Sequence, residues 1–403
     1  MPEPVIVAAA RSPIGRAFKG SLVDVRSDDL AAQIVQAALA QIPHLPHSEI
    51  EDLMLGCGLP GGEQGFNIAR VVSILAGLEQ VPGTTVNRYC ASSLQSIRMA
   101  AHAIRAGEGD AFVAAGVECV SRFIKGNSDN MADTQNPAFS DATHRSTVRS
   151  NGGAPMWTAA DGLPDVYISM GQTAENVAQI EGISRAEQDT YAYESQQNTS
   201  RALENGFYSV DITPITLPDG TVVAADDGPR PDTTIDALQR LTPVFRPDGS
   251  VTAGNSCPLN DGAAAVVIMS DTRARELDIT PLARIVSTAV TGLNPEAMGL
   301  GPVESCRRAM ARAGLTIADI DLVEINEAFA AQVLPSMRHL GIDRDKLNVH
   351  GGAIALGHPF GMTGARIMTT LINGLRATDK TFGMETMCVG GGQGMAIIIE
   401  RLS

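Results

Sequence analysis

The chain has 403 residues, 44% of them hydrophobic, with 30 Lys and Arg against 45 Asp and Glu and a formal net charge of −15. That length can bury a large core, and the acidic balance without a basic stripe argues against a nucleic-acid partner while leaving room for an anionic small ligand at local Arg residues or helix N-termini. No apolar run is long enough to span a bilayer, Met1-Pro2-Glu3-Pro4 lacks a basic leader segment, and the six scattered cysteines contain no C-x-x-C pair, so a cytoplasmic protein without a zinc site or disulfide scaffold is expected.

Pro4 to Ala10 reads as a buried strand. A helix follows, where Asp28-Asp29 precede Leu30, Ala31, Ile34, Val35, Ala38 and Leu39, with the acids in the first turn. Ile50 to Cys57 reads as a second strand, running into a Gly-rich loop at Gly61 and Gly62, and a helix begins near Ala69. Val81-Pro82-Gly83 then breaks the chain before the β-prone Thr84-Thr85-Val86, and Cys90 heads a helical stripe of Leu94, Ile97, Ala101 and Ile104 that Gly107 stops. A thiol within the first turn would meet unpaired N–H groups and the helix macrodipole, both of which stabilise a thiolate. Asp110 to Gly116 is again a strand, and alternating strand and helix means an α/β domain.

From Arg122 to about Gly162 the chain is polar and breaker-rich with no sustained period, which reads as an inserted excursion. Helical character returns at Met170 to Ala178 and at Ser184-Arg185-Ala186-Glu187, a capping box that opens the next helix. Beyond it the second half echoes the first at a near-constant separation. Pro281 to Val286 matches Pro4 to Ala9, Ile320 to Ile325 matches Glu51 to Leu55, Gly357-His358-Pro359 opens a helix as Cys90 does, and Thr386 to Gly390 matches Val113 to Glu118. Two similar α/β halves about a pseudo-two-fold are expected, with Cys90 and His358 at equivalent helix starts.

Four groups then converge on strand ends and helix starts, where α/β folds bind ligands. They are Asn87-Arg88-Tyr89-Cys90-Ala91-Ser92-Ser93, Asn326-Glu327-Ala328-Phe329-Ala330, Gly351-Gly352-Ala353-Ile354-Ala355-Leu356-Gly357-His358-Pro359 and Cys388-Val389-Gly390-Gly391-Gly392-Gln393-Gly394. Singly, a Gly loop is a turn, a buried Cys is packing and Asn326 is a helix cap. Together they resemble the signature set of the thiolases, and Met170 to Asn176, Val251 to Asn255 and Asn260 to Ala265 extend the likeness over essentially the whole chain.

The resemblance implies a duplicated fold of layered αβαβα type. Residues 1–118 with 251–270 would form the N-terminal half, 119–250 an inserted loop domain that binds coenzyme A, and 271–403 the C-terminal half. It implies acyl transfer between an enzyme cysteine and coenzyme A, with Claisen chemistry that makes or cleaves 3-ketoacyl-CoA. Cys90 would be the nucleophile, activated by His358, and Cys388 the acid/base for the α-carbon. One oxyanion hole would use His358 with a water held by Asn326, the other the N–H groups of Cys90 and Gly390. Arg230 would contact the nucleotide end, Phe245, Ala253 and Cys257 would line pantetheine, and Met170 and Phe329 would lie near the acyl end. Cys257 stands where the family often has Ser, and His350 where it often has Asn. No metal or permanently bound cofactor is implied: coenzyme A and acyl-CoA are substrates. Homodimers or homotetramers, and a β-oxidation multienzyme partner, belong to the same expectation. The alternatives are a decarboxylating ketoacyl synthase and a non-catalytic acyl-CoA-binding subunit, and all four catalytic positions being filled disfavours the second.

Overall fold

The computed structural model describes residues 2–123, 131 and 134–403. Its first half runs β1 (Pro4–Arg11), α1 (Ser27–Ala40), β2 (Asp52–Gly56), α2 (Ile68–Leu75), β3 (Gly83–Val86), α3 (Ser92–Ala106) and β4 (Ala111–Cys119). The chain then leaves on an excursion carrying α4 (Ser140–Ser150), α5 (Met170–Glu181) and α6 (Arg185–Glu204), and returns as β5 (Asn260–Ser270). The second half repeats the pattern as β6 (Ala283–Gly292), α7 (Gly301–Ala313), β7 (Leu322–Ile325), α8 (Ala330–Leu340), α9 (Thr363–Ala377), β8 (Phe382–Val389) and β9 (Gln393–Arg401). The repeat read from sequence is therefore present in order. Where β3 pairs parallel to β2, the second half keeps only an isolated parallel bridge between Val323 and Leu347.

The strands are ordered β7-β8-β9-β6-β1-β5-β4-β2-β3, with the two-residue strand Gly15–Arg16 paired to β5. β1 and β6 meet over only two residue pairs, Val5 with Arg284 and Ile6 with Ala283, so the two halves' sheets join at a narrow seam. Period-2 alternation sorts each strand between layers. In β4, Val113, Ala115 and Val117 pack on α1 and α2, while Phe112 and Ala114 face the other way into a cluster shared with α3 and α9. In β9, Met395, Ile397 and Ile399 enter that same shared cluster, and Ala396 and Ile398 pack with Cys306 and Ala309 of α7. Helices α3 and α9 thus lie between the two sheets, with α1 and α2 outside one and α7 and α8 outside the other. This is the expected five-layer αβαβα arrangement. It explains why α9 is buried almost all round, from Thr363 through Ile372, as a helix covered on both sides must be.

Periodicity did not flag β5 or β9. Ala263 to Met269 and Met395 to Ile399 are continuous buried runs, which carry no alternation because both faces are covered. Conversely, α4 forms inside a stretch that reads as irregular: its SDATHRSTVRS sequence buries only Ala142 and Ser146, too little apolar surface to make a stripe. The breaker-rich Gly126 to Asn130 lies outside the described residues. The Ser184 capping box is formed as expected, with the Ser184 side chain accepting from Glu187 N–H and Glu187 reaching back to the Ser184 N–H. Among the described residues no helix is long and apolar enough to cross a membrane.

Candidate active site

Cys90 sits where β3 gives way to α3, in a single 3-10 turn, Tyr89–Ala91, just ahead of the helix. The turn is held by its own polar residues. Arg88 N–H donates to Ser92 Oγ at 2.9 Å, Ser92 Oγ donates to Tyr89 O at 2.7 Å, and Tyr89 N–H donates to Asn87 Oδ1 at 2.8 Å. Tyr89 takes φ of +43°, a left-handed conformation costly for an aromatic residue and maintained only because the surroundings over-determine it. The Gly390 N–H, just past the end of β8, lies near enough to the Cys90 sulfur to favour its thiolate, as does the N–H of Cys90 itself. Arg88 and Gln393 fix that Gly390 peptide: Arg88 Nη1 donates to Gln393 Oε1 at 2.6 Å, and Gln393 Nε2 to Gly390 O at 3.1 Å. Both side chains lie within motifs visible in the sequence, but nothing about a lone Arg or Gln there signals this bridge.

His358 lies five residues ahead of Thr363, the start of α9. Its N–H donates to Asn260 Oδ1 at 3.0 Å, anchoring the loop to the first half. Thr363 Oγ1 donates to Pro359 O at 2.8 Å and stands 2.6 Å from His358 Nδ1, an assignment in which Nδ1 carries the ring hydrogen. Nε2 is then the acceptor, and Asn326 Nδ2 is 3.2 Å from it. Asn326 follows β7, donates its N–H to Thr386 O of β8 at 3.0 Å, and keeps a buried Oδ1 with no protein partner. The two helix starts cross directly: Ala365 N–H donates to Ser93 Oγ at 2.9 Å, and a Cβ on Gly364 would stand 2.4 Å from the Leu94 nitrogen. Cys388, fully buried near the end of β8, lies within electrostatic reach of both Cys90 and Cys257. Each half thus contributes its strand ends and helix start to one place.

The electrostatics differ from the sequence expectation. Burial pushes the Cys90 thiol up to about 12, outweighing the Gly390 and Cys90 N–H groups that favour the thiolate. Burial, with Arg366 adding to it, pushes His358 down to about 3. Cys388 and Cys257 are also raised by burial. The helix start and His358 therefore do not hold Cys90 as a thiolate in the free protein, and among the described residues no hydrogen bond joins the two. Burial thus favours the neutral thiol at Cys90 and the neutral imidazole at His358.

The residues expected to bind coenzyme A divide into two groups. Arg230 and Ala253 line one cleft of about 340 Å³ together with Arg16, Leu238, Ser256 and Ile354. Met170, Phe245 and Phe329 lie elsewhere, on a wall where the Phe245 and Phe329 rings meet edge to face at 6.0 Å. Gly171 is required there, since a Cβ would fall 2.2 Å from the Phe245 ring. A bridge between Ser256 and Phe329, and the Cys257 N–H donating to Ala328 O at 3.1 Å, tie cleft to wall. His350 stacks on Phe207 at 3.7 Å and lines a separate cleft with Asn205 and Arg376. Arg16, Asn260, Thr363 and Glu118 were not singled out from sequence as site residues. Asn260 and Glu118 lay in segments compared above and Thr363 follows the Gly357-His358-Pro359 motif, but the contacts that give two of them meaning, Thr363 on His358 Nδ1 and Gly361 on Glu118, show only in the fold.

Residues 4–272 match the family model for Thiolase, N-terminal domain, and residues 279–401 that for Thiolase, C-terminal domain. The chain belongs to the thiolase family. It is thereby an acyltransferase. It is 44% identical to a 3-ketoacyl-CoA thiolase of Bacillus subtilis (strain 168), over 99% of this chain and 100% of the relative. It is 43% identical to the 3-oxoadipyl-CoA/3-oxo-5,6-dehydrosuberyl-CoA thiolase of Escherichia coli (strain K12), over 100% of both. Among solved structures, the Bacillus anthracis acetyl-CoA acetyltransferase superposes with a TM-score of 0.86 at 36% identity, covering 100% of this chain and 99% of that one.

Proposed function

We propose that this thiolase catalyses acyl-CoA + acetyl-CoA ⇌ 3-ketoacyl-CoA + CoA by a ping-pong route through acyl-Cys90. The observation that carries the reading is the buried crossing of the two helix starts, where Ala365 N–H donates to Ser93 Oγ at 2.9 Å and Asn326 Nδ2 stands 3.2 Å from His358 Nε2. Cys90 Sγ attacks the thioester carbonyl as its proton passes to His358 Nε2. The sulfur–carbon bond to the enzyme forms, and the bond to coenzyme A breaks, its thiolate taking the Cys388 proton while His358 keeps the one from Cys90. The Cys388 thiolate then removes a proton from the α-carbon of acetyl-CoA, with the thioester oxygen stabilised beside Asn326 and His358. The carbanion attacks the acyl carbon, the Cys90 sulfur leaves with the proton held on His358, and 3-ketoacyl-CoA is released.

A neutral Cys90–His358 pair suits this order, because the proton moves only when the carbonyl arrives. Coenzyme A lies in the Arg230 cleft, with Arg16 and Arg230 at its anionic end. Cys388 favours a thiolase over a decarboxylating ketoacyl synthase, which would use His or His plus Asn there. Excess acyl-CoA should add one acyl group by intact mass in the wild type and none in Cys90→Ala; an adduct mapped elsewhere overturns the route. CoA-dependent cleavage of acetoacetyl-CoA against longer 3-ketoacyl-CoAs identifies the acyl class.

A cytoplasmic site of action and a homo-oligomer, engaged in β-oxidation, complete the proposal. Six free cysteines suit a reducing compartment. An edge strand β3 flanked by exposed Phe66, Ile74, Leu75 and Tyr89 suits self-association, to be read by light scattering.

A further inference from the structure

One fully buried carboxylate stands beside the site without a role in the chemistry above. Glu118 lies near the end of β4, 0% exposed, and both of its oxygens accept hydrogen bonds. Oε2 accepts from Gly58 N–H at 2.8 Å and Gly361 N–H at 2.9 Å. Oε1 accepts from Leu59 N–H at 3.2 Å and Gln64 Nε2 at 2.9 Å, and the Cys57 thiol is 3.7 Å away. Four of these donors belong to the first half. The fifth, Gly361, belongs to the loop of the second half that carries His358.

That loop approaches too closely for side chains. A Cβ on Gly361 would stand 2.2 Å from Val117 O and 2.7 Å from Gly56 O, and one on Gly116 would stand 2.0 Å from Gly361 O. Gly58 fits between Glu118 Oε2, the Phe360 Cβ and Tyr89 O. Phe360 in turn sets its ring edge to face against His358 at 5.1 Å. A continuous line of contact therefore runs from Glu118 through Gly361 and Phe360 to His358, and through Gly58 to the peptide preceding Cys90.

We propose that Glu118 is a positioning residue: its carboxylate latches the Gly361 N–H and thereby sets His358 of one half against Cys90 of the other. This rests on Cys90 and His358 acting as nucleophile and base. The latch works only while the group is a carboxylate. A protonated carboxyl would aim its O–H at N–H donors and have to release one of them. Burial raises Glu118 to about 7 in spite of its donors. Among the described residues the titratable groups that feel its charge include the Cys57, Cys90 and Cys119 thiols, all raised by burial. Lowering the pH through about 7 should therefore loosen the latch, whereas Cys90 at about 12 and His358 at about 3 do not titrate in that window.

The test is the pH dependence of Cys90 acylation, by rapid quench and intact mass, in wild type, Glu118→Gln and Glu118→Asp. Wild type should lose activity as pH falls from about 8 to about 6. Glu118→Gln, which presents an NH₂ group to donors, should acylate about 10- to 100-fold more slowly with KM within about twofold, as for a displaced catalytic group, and should lose the limb near 7. Glu118→Asp should recover part of the rate and keep a limb. Wild-type rates in Glu118→Gln, a loss carried by KM alone, or an unchanged limb would overturn the proposal. If neither variant folds, a wild type without the limb overturns it and one with it supports it. No adduct on wild-type Cys90 would instead defeat the nucleophile assignment on which it rests.

Discussion

The crossing of α3 and α9 and the cleft at Arg230, which the proposed function joins in one reaction, are built in opposite ways. At the crossing, Cys90, His358, Asn326 and Cys388 are buried, each tied by main-chain or side-chain bonds to a different strand end or helix start, with glycines admitting backbone to backbone. At the cleft, Arg230 is exposed, its N–H donating to Gln196 Oε1 at 2.9 Å while the residue lines the cleft. Chemistry needs atoms held to fractions of an ångström, whereas holding a hydrated phosphate needs only a cation within reach. Substitutions at the crossing should thus change kcat, and substitutions at the cleft KM.

The largest effect should come from Asn326→Ala. It leaves His358 Nε2 without its 3.2 Å partner and removes an oxyanion-side group, and should lower kcat by about 10²- to 10³-fold in steady-state thiolysis with KM little altered. A loss confined to KM would erase the distinction between the two regions. Next in size is the pH response of the thiol. Because Cys90 is raised to about 12, its alkylation by iodoacetamide in the free protein should climb about tenfold per pH unit from pH 7 to 9, with no plateau. A plateau below pH 7 would show a resting thiolate–imidazolium pair instead. The smallest effect belongs to Arg230→Ala, which should raise KM for coenzyme A about fivefold and leave kcat unchanged, with the effect shrinking as salt is added. Equal loss of kcat would mean that the cleft helps to align the reacting carbon.

How much could be read beforehand follows the same division. The duplicated order of strands and helices was legible because amphipathic helices such as α1 and α3 declare their period, and because Cys90, Asn326, His358 and Cys388 sit in short motifs of fixed composition. β5 and β9 were not, since a strand covered on both faces has no alternation to show. Glu118 and Thr363 were missed for a different reason. Their meaning lies in partners brought by folding: Gly361 for one, and the exact placement of His358 Nδ1 for the other. A helix start favours a thiolate at Cys90, while the depth of burial that opposes it is visible only in three dimensions.

The seam between β1 and β6, two residue pairs wide, has a consequence for the molecule cut in two. A chain opened between β5 and β6 would leave each fragment with its own sheet and one of the two central helices, and with an apolar face that only the other fragment covers. Neither fragment could turn over by the proposed route, because Cys90 and His358 would sit on different polypeptides. Turnover by such a split enzyme would count reassembled pairs and nothing else.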